Sequence, residues 1–329
     1  MSEQVTLISE TTAVSVPMPV PGAGSAGDSA PSVEFRDRPS LSGEQIRERA
    51  AGENFPVVIP GLSRSLRRDL LALYDYARLI DQVGDDASGD RMAMLDALSK
   101  DLAKIPDAEP DNAILRRLAS VVRQHDLPLE ALERLIEANR RDQSLRFVST
   151  WEELLDTCTR SANPVGELVL GVLDQASDAA IPPSNAVCSA LQVVEHCQDV
   201  HEDFLVGRIY LPEADMVRFG CQRWDLKHAP ASLGLRRTIK LQVERSRALL
   251  AQADGLLAGL RGIALPIVAA YAAGGMATCD ALERHHYDVL SHQIKPRRRD
   301  ILLRWVGLCY RALRARAKAK MRGESGSIG

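Results

Sequence analysis

Aromatic residues are scarce, at 4% of the 329-residue chain. A Phe- or Trp-rich core is excluded, and most buried volume must come from Leu, Ala, Val and Ile. No uninterrupted apolar run reaches 18 residues, so no membrane-spanning helix is expected. The six cysteines stand at 158, 188, 197, 221, 279 and 309 with no C-x-x-C pair, which argues against a structural zinc site. They read as small hydrophobes in a reducing, cytoplasmic setting. The first residues lack a basic segment followed by an apolar run, so no signal peptide is expected. The formal net charge is only −3, and no nucleic-acid partner is called for. Useful β-alternation and internal repeats are also missing.

What remains is helix-forming composition. Residues 1–40 are rich in Ser, Gly, Pro, Ala and Val without a sustained period and read as a disordered tail. Residues 41–295 carry one helical pattern after another. Residues 296–329 form a basic C-terminal helix and tail containing Arg297, Arg304, Arg311, Arg314, Lys318 and Lys320. Helices are predicted over Ser63–Val83, Asp90–Ile105 and Asn112–His125. Pro128 is expected as the first helical residue of the next. Thr150, with Glu153 completing a capping box, starts another. Pro182 and Pro183 are expected to break the chain before a long helix from Asn185 to Leu205. Further helices are expected over Ala231–Gly259, Ile263–Leu290 and Arg297–Met321. The expected fold class is all-α, a single large helix bundle around a central cavity.

Two acidic motifs stand out of this background. Asp81 and Asp85 are four apart, so on a helix they share one face about 5–6 Å apart. Like charges at that spacing repel unless something offsets them, and a hard divalent cation would. Arg78, one turn earlier, is placed to contact a phosphate oxygen. Alone, such a pair is most simply a solvated face. Asp199 and Asp203 repeat the spacing, and with Gln192 and Glu195 they form a stripe at i, i+3, i+7 and i+11. Leu191, Val194 and Leu205 flank it, which suggests a polar-lined cavity. Two such helices facing each other could hold Mg²⁺ ions around a diphosphate, the metals acting as Lewis acids on the leaving group. His196 and His201 are expected to point away from the Asp199/Asp203 face. Asp86, Asp90 and Glu202 are read as solvated, as is His285–His286.

These motifs, with Gln198-Asp199-Val200, Asp203 and Gly207-Arg208-Ile209-Tyr210-Leu211-Pro212, resemble the squalene/phytoene synthase family. Glu53-Asn54-Phe55-Pro56-Val57 and Ser161-Ala162-Asn163-Pro164-Val165-Gly166 look like its hydroxysqualene synthase branch of hopanoid biosynthesis. The resemblance spans roughly residues 45–295. It implies the isoprenoid synthase bundle and presqualene diphosphate as substrate. Pyrophosphate loss would leave a carbocation, and water capture would give hydroxysqualene with no NADPH. It implies Mg²⁺ ligands at Asp81, Asp85, Asp199 and Asp203, diphosphate contacts at Arg78 and Arg208, and catalytic positions at Tyr74, Gln192, Glu195 and Tyr210. Many relatives carry a second acid where Gln82 stands and Asn where Glu195 stands. Glu195 is open to three roles: metal ligand, base for water, or protonated buried acid. Competing functions are condensation of two prenyl diphosphates to presqualene diphosphate, squalene or phytoene, and a non-catalytic helical partner. Leu265–Gly275 either lines the hydrocarbon cavity or packs helices tightly. The basic C-terminal helix either lies on an anionic membrane at the inner face or is a solvated tail.

Overall fold

Polar side chains at Ser63, Asp90, Asn112, Thr150 and Ser232 cap helix starts. The computed structural model describes residues 62–325, all within the unit Phe35–Gly329. The Glu53–Val57 segment and the 1–40 tail lie outside the described residues. Among the described residues the order is α1 Arg64–Asp81, α2 Arg91–Leu102, α3 Ala113–His125, α4 Leu129–Asp142 and α5 Trp151–Ser161. Then come α6 Asn163–Val172, α7 Ile181–Gln198, α8 Val200–Leu205 and α9 Glu213–Arg218. Last are α10 Leu233–Leu250, α11 Ala253–Gly259, α12 Ala264–Arg284 and α13 Arg298–Ser325. Ser63 Oγ accepts from Leu66 N at 3.1 Å, Asp90 Oδ1 from Ala93 N at 3.0 Å, and Asn112 Oδ1 from Ile114 N at 2.8 Å. Each bond satisfies an amide that the first helical turn leaves unpaired. Asp90 is thus a cap and not merely a solvated acid.

Several boundaries differ from the sequence pattern, each for a local reason. Pro128 is the N-cap of α4, one residue outside the helix. Thr150 Oγ1 does cap α5, accepting from Glu153 N. Glu153 Oε2 instead accepts from Ser149 N at 2.7 Å, one residue before the cap. Pro182 and Pro183 lie inside the first turn of α7, which begins at Ile181. Those positions have no intrahelical amide bond to lose, so the prolines start the helix and do not delay it. The long helix also stops early. Asp199 leaves helical geometry, at φ −97° and ψ 17°, and α8 continues from Val200. The span 231–259 divides into α10 and α11, and α12 ends at Arg284. His286 and Tyr287, at φ 52° and 58°, turn the chain away.

Two apolar cores flank a central space. One gathers Tyr76, Ile80, Leu95, Leu118, Leu132 and Ile136 from α1–α4. The other gathers Val187, Val194, Leu235, Ile239, Leu257 and Ala273 from α7 and α10–α12. Burying each large aliphatic side chain contributes about 1.5–3 kcal/mol. Helix α6 serves both cores, giving Leu168 and Val172 to the first and Leu170 to the second. α12 is long and apolar enough to cross a membrane by composition, yet most of it is buried within the bundle. α13 packs along α12 and α11. One isolated bridge, Phe147 to Ile209, ties the loop after α4 to the loop after α8.

Candidate active site

The first acidic motif sits where α1 changes geometry. Asp81 ends α1, and Asp85 lies in the following π-helical turn Gln82–Asp86. Gly84 allows this turn to press on α4, because a Cβ there would overlap Asn139 Oδ1. Gln143 Nε2 fixes the contact by donating to Gly84 O at 3.0 Å. Asp81 and Asp85 remain about half exposed, with Arg78 Nη1 3.8 Å from Asp81 Oδ2.

The second motif straddles the joint between α7 and α8. Asp203 N donates to Asp199 O at 2.8 Å, closing the first turn of the short α8 at the break. Burial, followed by the charges of Asp203 and Glu202, pushes the Asp199 carboxyl up to about 6. Asp203 Oδ2 is buried without a hydrogen-bond partner, and His196 Nδ1 is 3.6 Å away. A buried acceptor beside a second crowded carboxylate suits a hard cation, which takes oxygen ligands. Among the described residues no three His, Cys, Asp or Glu side chains cage a single ion. A cation here would complete its shell with water or phosphate oxygens, the usual arrangement for Mg²⁺.

Gly207 ends α8 at φ 82°, a left-handed conformation that glycine adopts without a steric penalty. The turn brings Arg208 back, its amide on Asp203 O at 2.9 Å. Its guanidinium Nη2 then reaches Asp85 Oδ1 at 2.8 Å. Tyr210 is buried and stacks on His196, ring centroids 3.8 Å apart at 15°. Burial, then the neighbouring Asp142, raises the Tyr210 phenol above its ordinary range.

All ten sequence-predicted side chains line one polar cavity of about 460 Å³: Tyr74, Arg78, Asp81, Asp85, Gln192, Glu195, Asp199, Asp203, Arg208 and Tyr210. Tyr74, Ala77, Val165, Gln192 and Glu195 also line an apolar cavity of about 230 Å³. The two spaces therefore adjoin. From the apolar run, Val268 and Tyr271 face this second cavity, while Ala269, Ala272 and Ala273 are packed in the core. Both readings of that run hold, for different residues.

His196, Asp142 and Arg160 are among the lining groups that the sequence did not point to. His196 was expected to point away; instead it lines the cavity between Asp203 and Tyr210. Four residues after Gln192, it shares that residue's face of α7, with Gln192 Nε2 3.4 Å from His196 Nε2. His201 does lie elsewhere, with Nδ1 3.4 Å from Leu226 O. Asp142, the last residue of α4, lies in the cavity as well. Burial raises its carboxyl, against the opposing pull of Arg208, His196 and the Tyr210 hydroxyl. Arg160 adds a further cation to the lining. No local spacing marks Asp142 or Arg160; only packing brings them in. His285 and His286 are exposed, as is Glu202.

Known proteins resemble this chain in sequence and in fold. The hydroxysqualene synthase of Zymomonas mobilis is 34% identical over 212 residues, 63% of this chain and 71% of that one. A phytoene synthase of Mycobacterium tuberculosis is 34% identical over 174 residues, 52% and 57% of the two chains. The crystal structure of squalene synthase HpnC from Alicyclobacillus acidocaldarius matches at 38% identity and a TM-score of 0.68, covering 74% of this chain and 94% of that one. The fold is thus that of the α-helical isoprenoid synthases. The family model for squalene/phytoene synthases matches residues 48–300, and this chain belongs to that family.

Proposed function

We propose that the protein is a Mg²⁺-dependent hydroxysqualene synthase, converting presqualene diphosphate and water to hydroxysqualene and pyrophosphate. The observation that carries this reading is the junction of a charged cavity with an apolar one, shared along Tyr74, Ala77, Val165, Gln192 and Glu195. Such a junction suits a molecule with a diphosphate head and a long hydrocarbon body. The relatives called hydroxysqualene synthase support the choice of product.

In this reading Asp81, Asp85, Asp199 and Asp203 would hold Mg²⁺, which would supply Lewis-acid neutralisation of the diphosphate. Arg78 and Arg208 orient the diphosphate oxygens, Arg208 exchanging its present bond to Asp85 for them. The carbon–oxygen bond breaks, and its electron pair leaves with pyrophosphate. The apolar walls contributed by Leu73, Leu170, Val187 and Val268 keep bulk water from the hydrocarbon cation. Gln192 and Glu195 stand at the boundary, where one held water can reach that cation. Its oxygen bonds to carbon, and its proton passes to Glu195 or solvent. Capture by water needs no nicotinamide. Substrate and product are lipids, so we infer a cytoplasmic protein working at the inner face of a membrane. All six cysteines are free, which suits that compartment.

A condensing activity is the second reading, favoured by the similarity to a phytoene synthase. One assay separates them. Purified protein with Mg²⁺ is given presqualene diphosphate or farnesyl diphosphate, and the products are identified. Hydroxysqualene from the first substrate supports the proposal. Condensed products from farnesyl diphosphate alone would overturn it. No turnover of either by folded protein would favour a non-catalytic role.

A further inference from the structure

The C-terminal helix α13 has two apolar faces, and the bundle uses one. Leu308 and Ala312 are buried against the core. Trp305 Nε1 donates to Pro266 O at 2.8 Å. Arg316 Nε and Nη2 donate to Ala258 O and Leu257 O, each at 2.9 Å. That places a cation at the carbonyl end of α11, where the helix dipole favours it. These contacts fix which way α13 faces.

The opposite side carries Leu302, Leu303, Val306, Tyr310, Leu313 and Met321, each between 52% and 70% exposed. Steps of four, four and three from Leu302 to Leu313 keep them on one face. From Leu302 to Met321 the stripe is about 28 Å long at 1.5 Å per residue. Isolated exposed leucines need no explanation, but a continuous stripe marks a contact surface.

Charge identifies the partner. Residues 301–323 contain seven Arg and Lys and no Asp or Glu. Arg304 and Arg311 are engaged by Asp280 and Asp254. Arg314 and Lys318 are exposed beside the stripe. A second copy of the chain would set two basic faces against each other. An anionic lipid surface accepts both components, apolar side chains below the headgroups and cations among them.

We propose that this face of α13 docks the protein onto an anionic phospholipid membrane. The docking does not rest on the proposed reaction, because the test contains no substrate. Full-length protein is sedimented with vesicles of phosphatidylglycerol and phosphatidylcholine, and with pure phosphatidylcholine vesicles. Binding to the anionic vesicles is expected, weakening as salt is raised. The double variant Leu303→Ser/Tyr310→Ser should bind about tenfold more weakly. Arg314→Gln/Lys318→Gln should lose the preference for anionic lipid. Both variants alter exposed side chains, so circular dichroism and turnover of detergent-dispersed substrate should match wild type. Equal binding by wild type and Leu303→Ser/Tyr310→Ser, or no binding by folded wild type, overturns the proposal. So does dimerisation in ultracentrifugation that the same variant abolishes, since the face then meets a second copy.

Discussion

Arg208 Nη2 donates to Asp85 Oδ1 at 2.8 Å, joining two residues 123 positions apart in the chain. This bond links the two acidic motifs across the cavity. A guanidinium offers a planar fork to carboxylate or phosphate, which an ammonium cannot reproduce. Arg208→Lys should therefore lower kcat/KM about tenfold or more while leaving the thermal midpoint nearly unchanged. Steady-state pyrophosphate release and differential scanning fluorimetry measure the two quantities. Wild-type kinetics in Arg208→Lys would refute a role in holding the diphosphate.

In the proposed function Asp199 and Asp203 hold the cation. Asp199→Asn should reduce turnover about a hundredfold or more, because several kcal/mol of charge stabilisation are lost. Helix content should be unchanged. Relief of the crowding with Asp203 means the variant should unfold at the same temperature or slightly higher. Wild-type enzyme treated with EDTA should lose activity and recover it with Mg²⁺. Activity that survives EDTA would contradict the metal assignment.

Gly84 lets the π-helical turn lie against α4. In Gly84→Ala the new methyl meets the Asn139 amide, and overpacking of this kind costs about 1–3 kcal/mol. Denaturant melts should show that loss together with reduced activity, since Asp85 is the next residue. Asn139→Ala added to Gly84→Ala should recover most of the stability. Additive losses in the double variant would show that the clash is not with Asn139.

The apolar cavity should set which chain lengths are accepted. Val165 faces both cavities and is 41% exposed, so Val165→Trp can narrow the junction without disturbing a core. KM for presqualene diphosphate should rise at least about fivefold, with pyrophosphate binding unaffected. Unchanged KM would place the hydrocarbon elsewhere.

Acid stability should report on Asp101. Its carboxylate is buried, which alone would raise its pKa. The amides of Asp111 and Asn112, at 2.7 and 2.8 Å, and Lys104 outweigh burial and hold it below the ordinary value. The ionised form thus favours the folded state. Its stabilisation is full above the unfolded carboxylate pKa, about 3.9, and disappears as pH falls through the lower folded value. Asp101→Asn should cost about 1–3 kcal/mol at pH 7 and flatten stability against pH below 4. An unaltered acid limb in chemical melts would discount this group.

The sequence by itself indicated the helical class, several N-terminal boundaries and, with the family resemblance, ten residues that line the cavity. Helical periodicity and polar caps act over a few residues, so Ser63, Asp90, Asn112 and Thr150 are legible without a fold. The paired Asp spacings are equally local. Tertiary structure decided what depends on distant partners. Asp142 joins the site because packing lays one face of α4, with Leu135, Ala138 and Asn139, along the cavity. His196 faces inward because packing turns the Gln192 face of α7, which His196 shares one turn on, toward the cavity. The two faces of α13 are alike in apolar character; packing against α11 and α12 chose which one is covered. The polar cavity adjoins the apolar one because α1 and α7 each give side chains to both, Tyr74 and Ala77 from one and Gln192 and Glu195 from the other, a relationship that no spacing in one segment can express.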